Sequence, residues 1–347
     1  MTEASSVKNI IELTKLCTLN GNTFKDIVQK REIIPISPSL DYVLGGGIRE
    51  GSFILMTGVY KGGKTATALS IAAEAQKQLG YDVVILDAEH RLSARDLCSI
   101  PNLNIDNVTV ITSTEEHFLT SQDFLQLANH HLTVKKKQFV IIDSISSMCS
   151  RELRAGQLGE KFRDSVSHTL SQFTRLAAPA IAVQNNIFLA ITHEVSNTGP
   201  GYSTVSETGG KKIQYAHDFK LRVSHITPVL EGEIKVGQDI HWECKTSSLG
   251  PPGRKCSSRL IYNHGLDDVH ELLSLAKEAI IPSFQVKTSW YIFGEEKIQG
   301  EQKAIQYVRD NPQLLQKIKE ETYERYQLCK PKVSTVSGEN SELTESQ

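Results

Sequence analysis

No Cys-x-x-Cys pair occurs among the six cysteines, Cys17, Cys98, Cys149, Cys244, Cys256 and Cys329, which lie scattered along the chain. That leaves no zinc ribbon and no disulfide framework, and it fits reduced thiols in a cytoplasmic-type compartment. No apolar run approaches the ~18 residues of a membrane span, so no membrane partner is expected. The opening stretch MTEASSVKNIIELTKL lacks the apolar block of a secretory leader. An excess of one charge is missing too: 38 Lys and Arg stand against 40 Asp and Glu, a net charge of −2. Without a global basic field, any nucleic-acid contact has to come from local loops.

What remains is a globular composition. The 347 residues, 39% hydrophobic and 22% charged, suffice for one large domain and a smaller one. Val7, Ile10, Ile11, Leu13 and Leu16 fall at helical spacing, so residues 6–32 are read as one or two short amphipathic helices. A Pro- and Gly-punctuated connector, IIPISPSLDYVLGGGIREG, follows. Apolar segments SFILMTG, DVVILDAE, NVTVITS, QFVIIDS and NIFLAITHE then alternate with helical stretches, notably 64–79, 116–131 and 160–184. Continuous Val/Ile/Leu runs between helices predict a mostly parallel sheet buried on both faces. After residue 218, FKLRVSHITPV, DIHWECKTS and SSRLIYN have no helices between them and are expected to extend the sheet antiparallel. From about 266 helical patterns return around a short hairpin, WYIFGEEKI, and the last residues are polar, Ser/Glu-rich and expected to be disordered.

Gly58-Val59-Tyr60-Lys61-Gly62-Gly63-Lys64-Thr65 fits G-x-x-x-x-G-K-[ST]. Glycines let the backbone wrap so that successive N–H groups point at phosphate oxygens, and the following helix adds its positive end. Lys64 is expected to reach the β- and γ-phosphates, and the Thr65 hydroxyl to ligate Mg²⁺. The phosphate-holding stretch is taken as Gly58 through Thr65 together with Ala66, with Lys61 more exposed to solvent than involved in chemistry.

Asp143 ends an apolar strand, where ligands of a doubly wound sheet gather, and suits the Walker B role of holding the metal's water shell. Asp87 and Glu89 lie two apart at another strand end. On pattern alone a solvated strand terminus and a water-activating Glu89 are equally open. His193 and Glu194 end a further strand at the same edge, where His193 could sense a γ-phosphate. The Gly/Ser/Thr segment after it, with Tyr202 and the pair Lys211–Lys212, suits single-strand contacts or is a plain surface loop. Arg151, Arg154, Lys161 and Arg163 form a second candidate loop, or simply a solvated helix start.

In this order the elements resemble the RecA recombinase family, bacterial and phage (UvsX-type), over roughly residues 36–325. The likeness rests on SLDYVLGGGIREGSFILMTGVYKGGKT, ILDAEHRL, VIIDSISSM, ETGGKKIQYAHDFKLRV and a long C-terminal match through SWYIFGEEKIQGEQKAIQYVRDNPQLLQKI. The resemblance implies a RecA-type P-loop ATPase core, a mostly parallel twisted sheet flanked by helices with an antiparallel extension. An N-terminal helical segment and a small α/β C-terminal lobe would complete it. The corresponding partition is 1–35 (oligomerisation), 36–265 (core), 266–330 (lobe) and 331–347 (polar tail).

The resemblance also implies ATP and Mg²⁺ as cofactors, Glu89 as the activating carboxylate, and Lys64, Asp143 and His193 as its catalytic companions. Thr65 and Asp143 would hold the metal. Arg151, Arg154, Lys161, Arg163, Tyr202, Gly209, Gly210, Lys211 and Lys212 would contact DNA. Partners would be single- and double-stranded DNA, further copies in a helical filament, and a single-strand-binding protein or loader. The compartment would be the cytoplasm, that of a host if the gene is a phage's. The expected activity is DNA-stimulated ATP hydrolysis with homologous pairing and strand exchange. A mediator paralogue without strand exchange and a ring-forming helicase are the alternatives, the long C-terminal match speaking against the ring.

Three positions depart from the family's usual pattern. His193 stands where bacterial members carry Gln and phage-type members His. Of two basic residues reaching a neighbour's γ-phosphate, Lys245 matches but Ser247 replaces the second, with Arg254 or Lys255 as nearby substitutes. Asp96 stands where an adenine-stacking Tyr is expected.

Overall fold

A computed structural model describes residues 14–134, 137–157, 165–199, 202–207, 213 and 216–328. The expected helical residues Val7, Ile10, Ile11 and Leu13, the DNA candidates Lys161, Arg163, Gly209, Gly210, Lys211 and Lys212, and the tail 331–347 lie outside them.

The chain enters through helix α1 (Gly21–Gln29), strand β1 (Ile33–Ile34), helix α2 (Pro38–Leu44) and strand β2 (Ile48–Arg49). β1 and β2 pair antiparallel. Strand β3 (Phe53–Gly58) then leads into helix α3 (Lys64–Leu79). Strand β4 (Asp82–Asp87), helix α4 (Ala94–Cys98), strand β5 (Val108–Ile111), helix α5 (Ser121–Val134) and strand β6 (Gln138–Asp143) follow. Helices α6 (Arg151–Ala155) and α7 (Val166–Gln184) precede strand β7 (Ile187–Ile191). Strands β8 (Glu194–Gly199) and β9 (Tyr202–Glu207) pair with each other as a hairpin. Next come β10 (Phe219–Glu231), β11 (Ile234–Thr246), β12 (Lys255–Ile261) and β13 (Gly265–Leu266).

Among the described residues nine strands form one sheet in the order β13-β12-β11-β10-β3-β7-β6-β4-β5. From β10 to β5 every pairing is parallel, and β11, β12 and β13 add on antiparallel. The strand alternation feeds two cores. Ile54, Met56, Ile85, Ile141 and Leu189 face α3, while Phe53, Leu55, Leu86, Ile142 and Phe188 pack with residues of α5 and α7. Coverage on both faces is why the central strands read as unbroken apolar runs. α3 is rich in Ala, a strong helix former, and stops at Gly80, which takes the left-handed cap conformation at φ 66°.

The rest of the described chain builds a third apolar cluster from Leu272, Leu273, Ala276, Phe284, Phe293, Ile305, Val308 and Ile318. Its elements are α8 (Asp268–Ala279), the antiparallel strands β14 (Gln285–Lys287), β15 (Trp290–Phe293) and β16 (Glu296–Gln299), α9 (Glu301–Asp310) and α10 (Pro312–Arg325). Two buried acids tie it to the core. The Tyr323 hydroxyl donates to Asp41 at 2.6 Å, and Glu271 accepts the Ser39 N–H at 3.0 Å.

Two expectations need correcting. The helix read over 116–131 begins only at Ser121, because Asp123 accepts both the Thr120 N–H (2.9 Å) and the Thr120 hydroxyl (2.5 Å) and fixes the start there. The segment after His193, read as an open loop, carries the β8–β9 hairpin.

Candidate functional site

The carboxyl ends of β3, β4, β6 and β7 converge on a cleft of about 620 Å³ lined by the glycine-rich turn, Asp87, Glu89, Arg91, Asp143 and His193. Parallel register aligns these ends: Asp87 sits opposite Asp143, and Ile142 opposite Ala190.

The turn occupies the gap between β3 and α3. Gly58 has φ +128° and a Cβ there would come within 2.3 Å of the Val223 carbonyl; Gly63 has φ +76° and a Cβ there would meet Ile240 at 2.5 Å. Both positions therefore require glycine. Gly62, Gly63, Tyr60, Lys61, Thr65 and Ala66 all line the cleft. The buried Lys64 donates to the carbonyls of Val59 (2.7 Å) and Gly58 (3.2 Å), which curls its ammonium back into the turn. Burial lowers its pKa against the pull of Asp143, Glu89 and Glu194. Lys61 is exposed, and its carbonyl accepts Gln238 Nε2 at 3.1 Å.

Next to the turn, the Thr65 hydroxyl donates to Asp143 Oδ2 at 2.6 Å. Burial raises the Asp143 carboxyl to about 6, helped by Glu89 and Asp87, while the Thr65 bond opposes it. The Asp143 carbonyl accepts the N–H groups of Ala88 and Glu89 at 2.8 and 3.1 Å, clamping the two strand ends together.

β4 stops at Asp87, so Asp87 and Glu89 do not share a strand face. Asp87 turns inward to accept the Leu92 N–H at 3.1 Å, and Glu89 lies in the bend beyond. Glu89 Oε1 is 2.6 Å from His193 Nε2, 2.8 Å from the Ser144 hydroxyl and 3.3 Å from the Ser147 hydroxyl. Burial works to raise the Glu89 carboxyl, but the bonds from His193 and Ser144 outweigh it and leave it below the usual value. The His193 N–H is held by Ser146 Oγ at 2.8 Å.

Several of these participants escape a reading of motifs. Ser144, Ser146 and Ser147 had a faint signal, the hydroxyl-rich run after Asp143. Arg91 donates to the Tyr60 hydroxyl at 2.9 Å and lies 3.8 Å from Glu89. Gln238, Leu260 and Tyr262 reach the cleft from β11 and β12, or just beyond β12, with no local motif to announce them. The Tyr262 hydroxyl donates to Gln238 at 3.2 Å.

Other expected residues are engaged differently. Asp96 lines the cleft, but its carboxylate serves α4: with Ser93 it forms a reciprocal capping box, which accounts for an acid where a stacking Tyr was expected. Lys245 lies outside the cleft and bonds Glu243 at 2.7 Å. Ser247 turns inward, donating to the Leu44 carbonyl (2.6 Å) and accepting the N–H groups of Leu249 and Gly250 (3.1 Å each). Arg254 donates to the Tyr42 carbonyl at 2.8 Å and lies over the Tyr42 ring, so it is used inside the molecule. Lys255 is exposed at the start of β12. Arg151 pairs with Asp123, and Arg154 stacks 3.9 Å above the Phe118 ring. Tyr202 begins β9, opposite Gly199. Among the described residues no cluster of three or more His, Cys, Asp or Glu could hold a metal, the five described cysteines are unpaired, and no helix is long and apolar enough to cross a membrane.

Sheet order, glycine turn and cleft define a mostly parallel α/β protein whose cleft lies at the carboxyl ends of the strands, where sheets of this kind bind their ligands. The chain belongs to the RecA family: residues 20–267 match the RecA N-terminal domain. It is 27% identical over 307 residues to Protein RecA of Xanthomonas campestris pv. campestris (strain B100), covering 87% of each chain. It is 27% identical over 315 residues to Protein RecA of Aquifex pyrophilus, covering 90% of this chain and 88% of the relative. Against Protein RecA of Clostridium botulinum (strain Alaska E43 / Type E3) the identity is 28% over 307 residues, covering 87% and 83%.

Proposed function

We propose that the protein is a DNA-dependent ATPase that assembles as a filament on single-stranded DNA and exchanges that strand with homologous duplex. The observation that carries this reading is the Glu89–His193 contact of 2.6 Å beside the phosphate turn, at the root of the β8–β9 hairpin.

Lys64 exchanges its two carbonyl partners for the β- and γ-phosphate oxygens, and the amino end of α3 adds its dipole. Thr65 and Asp143 suit Mg²⁺: a hydroxyl and a carboxylate oxygen 2.6 Å apart are hard donors. The ion, when bound, neutralises phosphate charge. Glu89, held ionised, takes the proton of a water attacking the γ-phosphorus, and ADP departs with the bridging oxygen. His193 keeps Glu89 aimed, and its backbone continues directly into the hairpin.

Lys245 reaches the neighbouring copy's γ-phosphate. The loops around Arg151 and Arg154 and around Tyr202 contact DNA, the first after release from Asp123 and Phe118. Residues 1–35 pack on the neighbour, 36–265 form the ATPase core, and 266–330 the lobe. The setting is the cytoplasm, a host's if the gene is a phage's, and a single-strand-binding protein or loader is a further partner.

One observation favours a second reading, a mediator that binds ATP and DNA without exchanging strands. Ser247 is locked into its turn, so the second in-trans cation is missing. Electron microscopy with an ATP analogue and single-stranded DNA, beside a strand-exchange assay, tests both. Filaments with exchange support the recombinase, short assemblies without exchange the mediator, and closed rings contradict both.

A further inference from the structure

Four charged side chains cross the sheet in sequence, from the root of the β8–β9 hairpin to the edge that carries Lys245. Glu194, next to His193, accepts a two-pronged bond from Arg222, with Arg222 Nη2 at 2.9 Å from Oε2. Arg222 Nη1 lies 3.6 Å from Glu243 Oε2, and the other oxygen of Glu243 holds Lys245 Nζ at 2.7 Å. Exposure is lowest at one end and highest at the other, 8% at Glu194 and 41% at Lys245, with 25% at Arg222 and 19% at Glu243 between them. The inner end is thus sealed and the outer end is open to a partner.

The strand register explains why these four meet. Arg222 and Glu243 are direct cross-strand partners. Immediately beyond, Leu221 pairs with Cys244 and Lys220 with Thr246, so Lys245 is the extra residue of a bulge. A bulged residue is released from the ladder and its side chain is re-aimed.

We propose that this ladder reports ATP in the neighbouring subunit to the subunit that owns the ladder, with Arg222 as the positioning residue between them. The proposal rests on the in-trans role of Lys245 given above. In a lone subunit Glu243 holds Lys245 directly and shares its charge with Arg222 and with Lys255, its cross-strand partner on β12. When the Lys245 ammonium turns to a neighbour's γ-phosphate, Glu243 keeps only Arg222 and its exposed cross-strand neighbour Lys255 as cations, and draws Arg222 across the 3.6 Å gap. Arg222 then loosens from Glu194, a nearly buried carboxylate that cannot stay uncompensated without the backbone shifting. That backbone is the first residue of the hairpin and the residue after His193. The two states are therefore Lys245 on Glu243 and Lys245 on phosphate, and the hairpin root is the element they bias. The groups are charged in the right sense. The bond to Glu194 raises the Arg222 pKa, and the bond from Lys245 lowers that of Glu243.

The test uses the full-length protein and compares wild type with Arg222→Gln, Glu243→Gln, Arg222→Lys and Lys245→Ala. Three quantities are read: affinity for a fluorescent ATP analogue, the Hill coefficient of hydrolysis against ATP, and the stimulation by single-stranded DNA. Arg222→Gln and Glu243→Gln are expected to hold nucleotide affinity within about twofold, to lower the Hill coefficient to about 1 and to cut DNA stimulation about tenfold, the range of ordinary coupling energies. Arg222→Lys, which can still bridge two carboxylates, recovers part of both. A merely structural Arg222 would instead lower nucleotide affinity along with everything else. Should Arg222→Gln alone fail to fold, Glu194→Gln/Arg222→Gln removes the link without orphaning a charge, and the same losses are expected. If Lys245→Ala abolishes cooperativity while the Arg222 and Glu243 variants keep it, the ladder is wrong and the in-trans contact stands. If wild type is not cooperative, or Lys245→Ala leaves cooperativity intact, the in-trans reading and the ladder fall together.

Discussion

His193 Nε2 and Glu89 Oε1 lie 2.6 Å apart although 104 residues separate them in the chain. An ionised carboxylate can only accept, so this nitrogen carries the proton. The bond joins the candidate water-activating group to the residue at the root of the hairpin, and its two ends separate chemistry from coupling.

Glu89→Gln removes the base but keeps an oxygen that can accept from His193. Hydrolysis is expected to fall about 10²–10⁴-fold, the usual contribution of a general base. ATP-dependent binding of single-stranded DNA should persist. Turnover assays beside fluorescence anisotropy check this, and joint loss of both activities would assign Glu89 a structural role instead.

At the other end of the bond, His193→Gln retains a donor toward Glu89 and His193→Ala does not. The expectation is that Gln keeps, and Ala erases, the difference in DNA affinity between ATP-analogue and ADP states. Equal behaviour of the two variants in that comparison would contradict it.

Lys64→Ala deletes charge-assisted bonds worth about 1.5–3 kcal/mol each. Nucleotide affinity should drop roughly 10- to 150-fold per bond lost, and nucleotide-dependent DNA binding should vanish. Unchanged filaments with ATP would refute the assignment.

Introducing the family's second cation should not help. Ser247→Lys breaks three hydrogen bonds that fix the turn against Leu44. It is expected to destabilise by about 1–3 kcal/mol and to leave ATP turnover no faster, as thermal melts and hydrolysis rates would show.

Stability should depend on pH through the joint between core and lobe. Burial raises the Asp41 carboxyl to about 7 and the Glu271 carboxyl to about 8, well above their unfolded values. In the folded protein both hold protons that the unfolded chain has released, so stability falls as pH rises from about 4 to about 8. Melting is expected at a lower temperature at pH 8.5 than at pH 5.5. Asp41→Asn should flatten that slope, and a Tm that rises with pH over this window would overturn the account.

Much of the architecture was legible locally. The apolar run, glycine turn and Ala-rich segment at 53–79 produced strand, loop and helix at the expected residues, because each signal is short-range. The start of α5 was misplaced because apolar periodicity weighs less than the Thr120–Asp123 cap. The spacing of Asp87 and Glu89 did not tell where Glu89 points, since β4 ends two residues earlier.

The sequence by itself determined the strands, the glycine turn and the acids at strand ends, all properties of residues a few positions apart. Only the tertiary structure decided which of those groups meet. Parallel register brought Asp143, Glu89 and His193 to one edge, while a bulge at Lys245 set it beside Glu243 and so in line with Arg222 and Glu194. It also turned Ser247, Arg254 and Asp96 to internal bonds. The reason is geometric: sheet order and register fix distances between residues a hundred positions apart, and no local period records them.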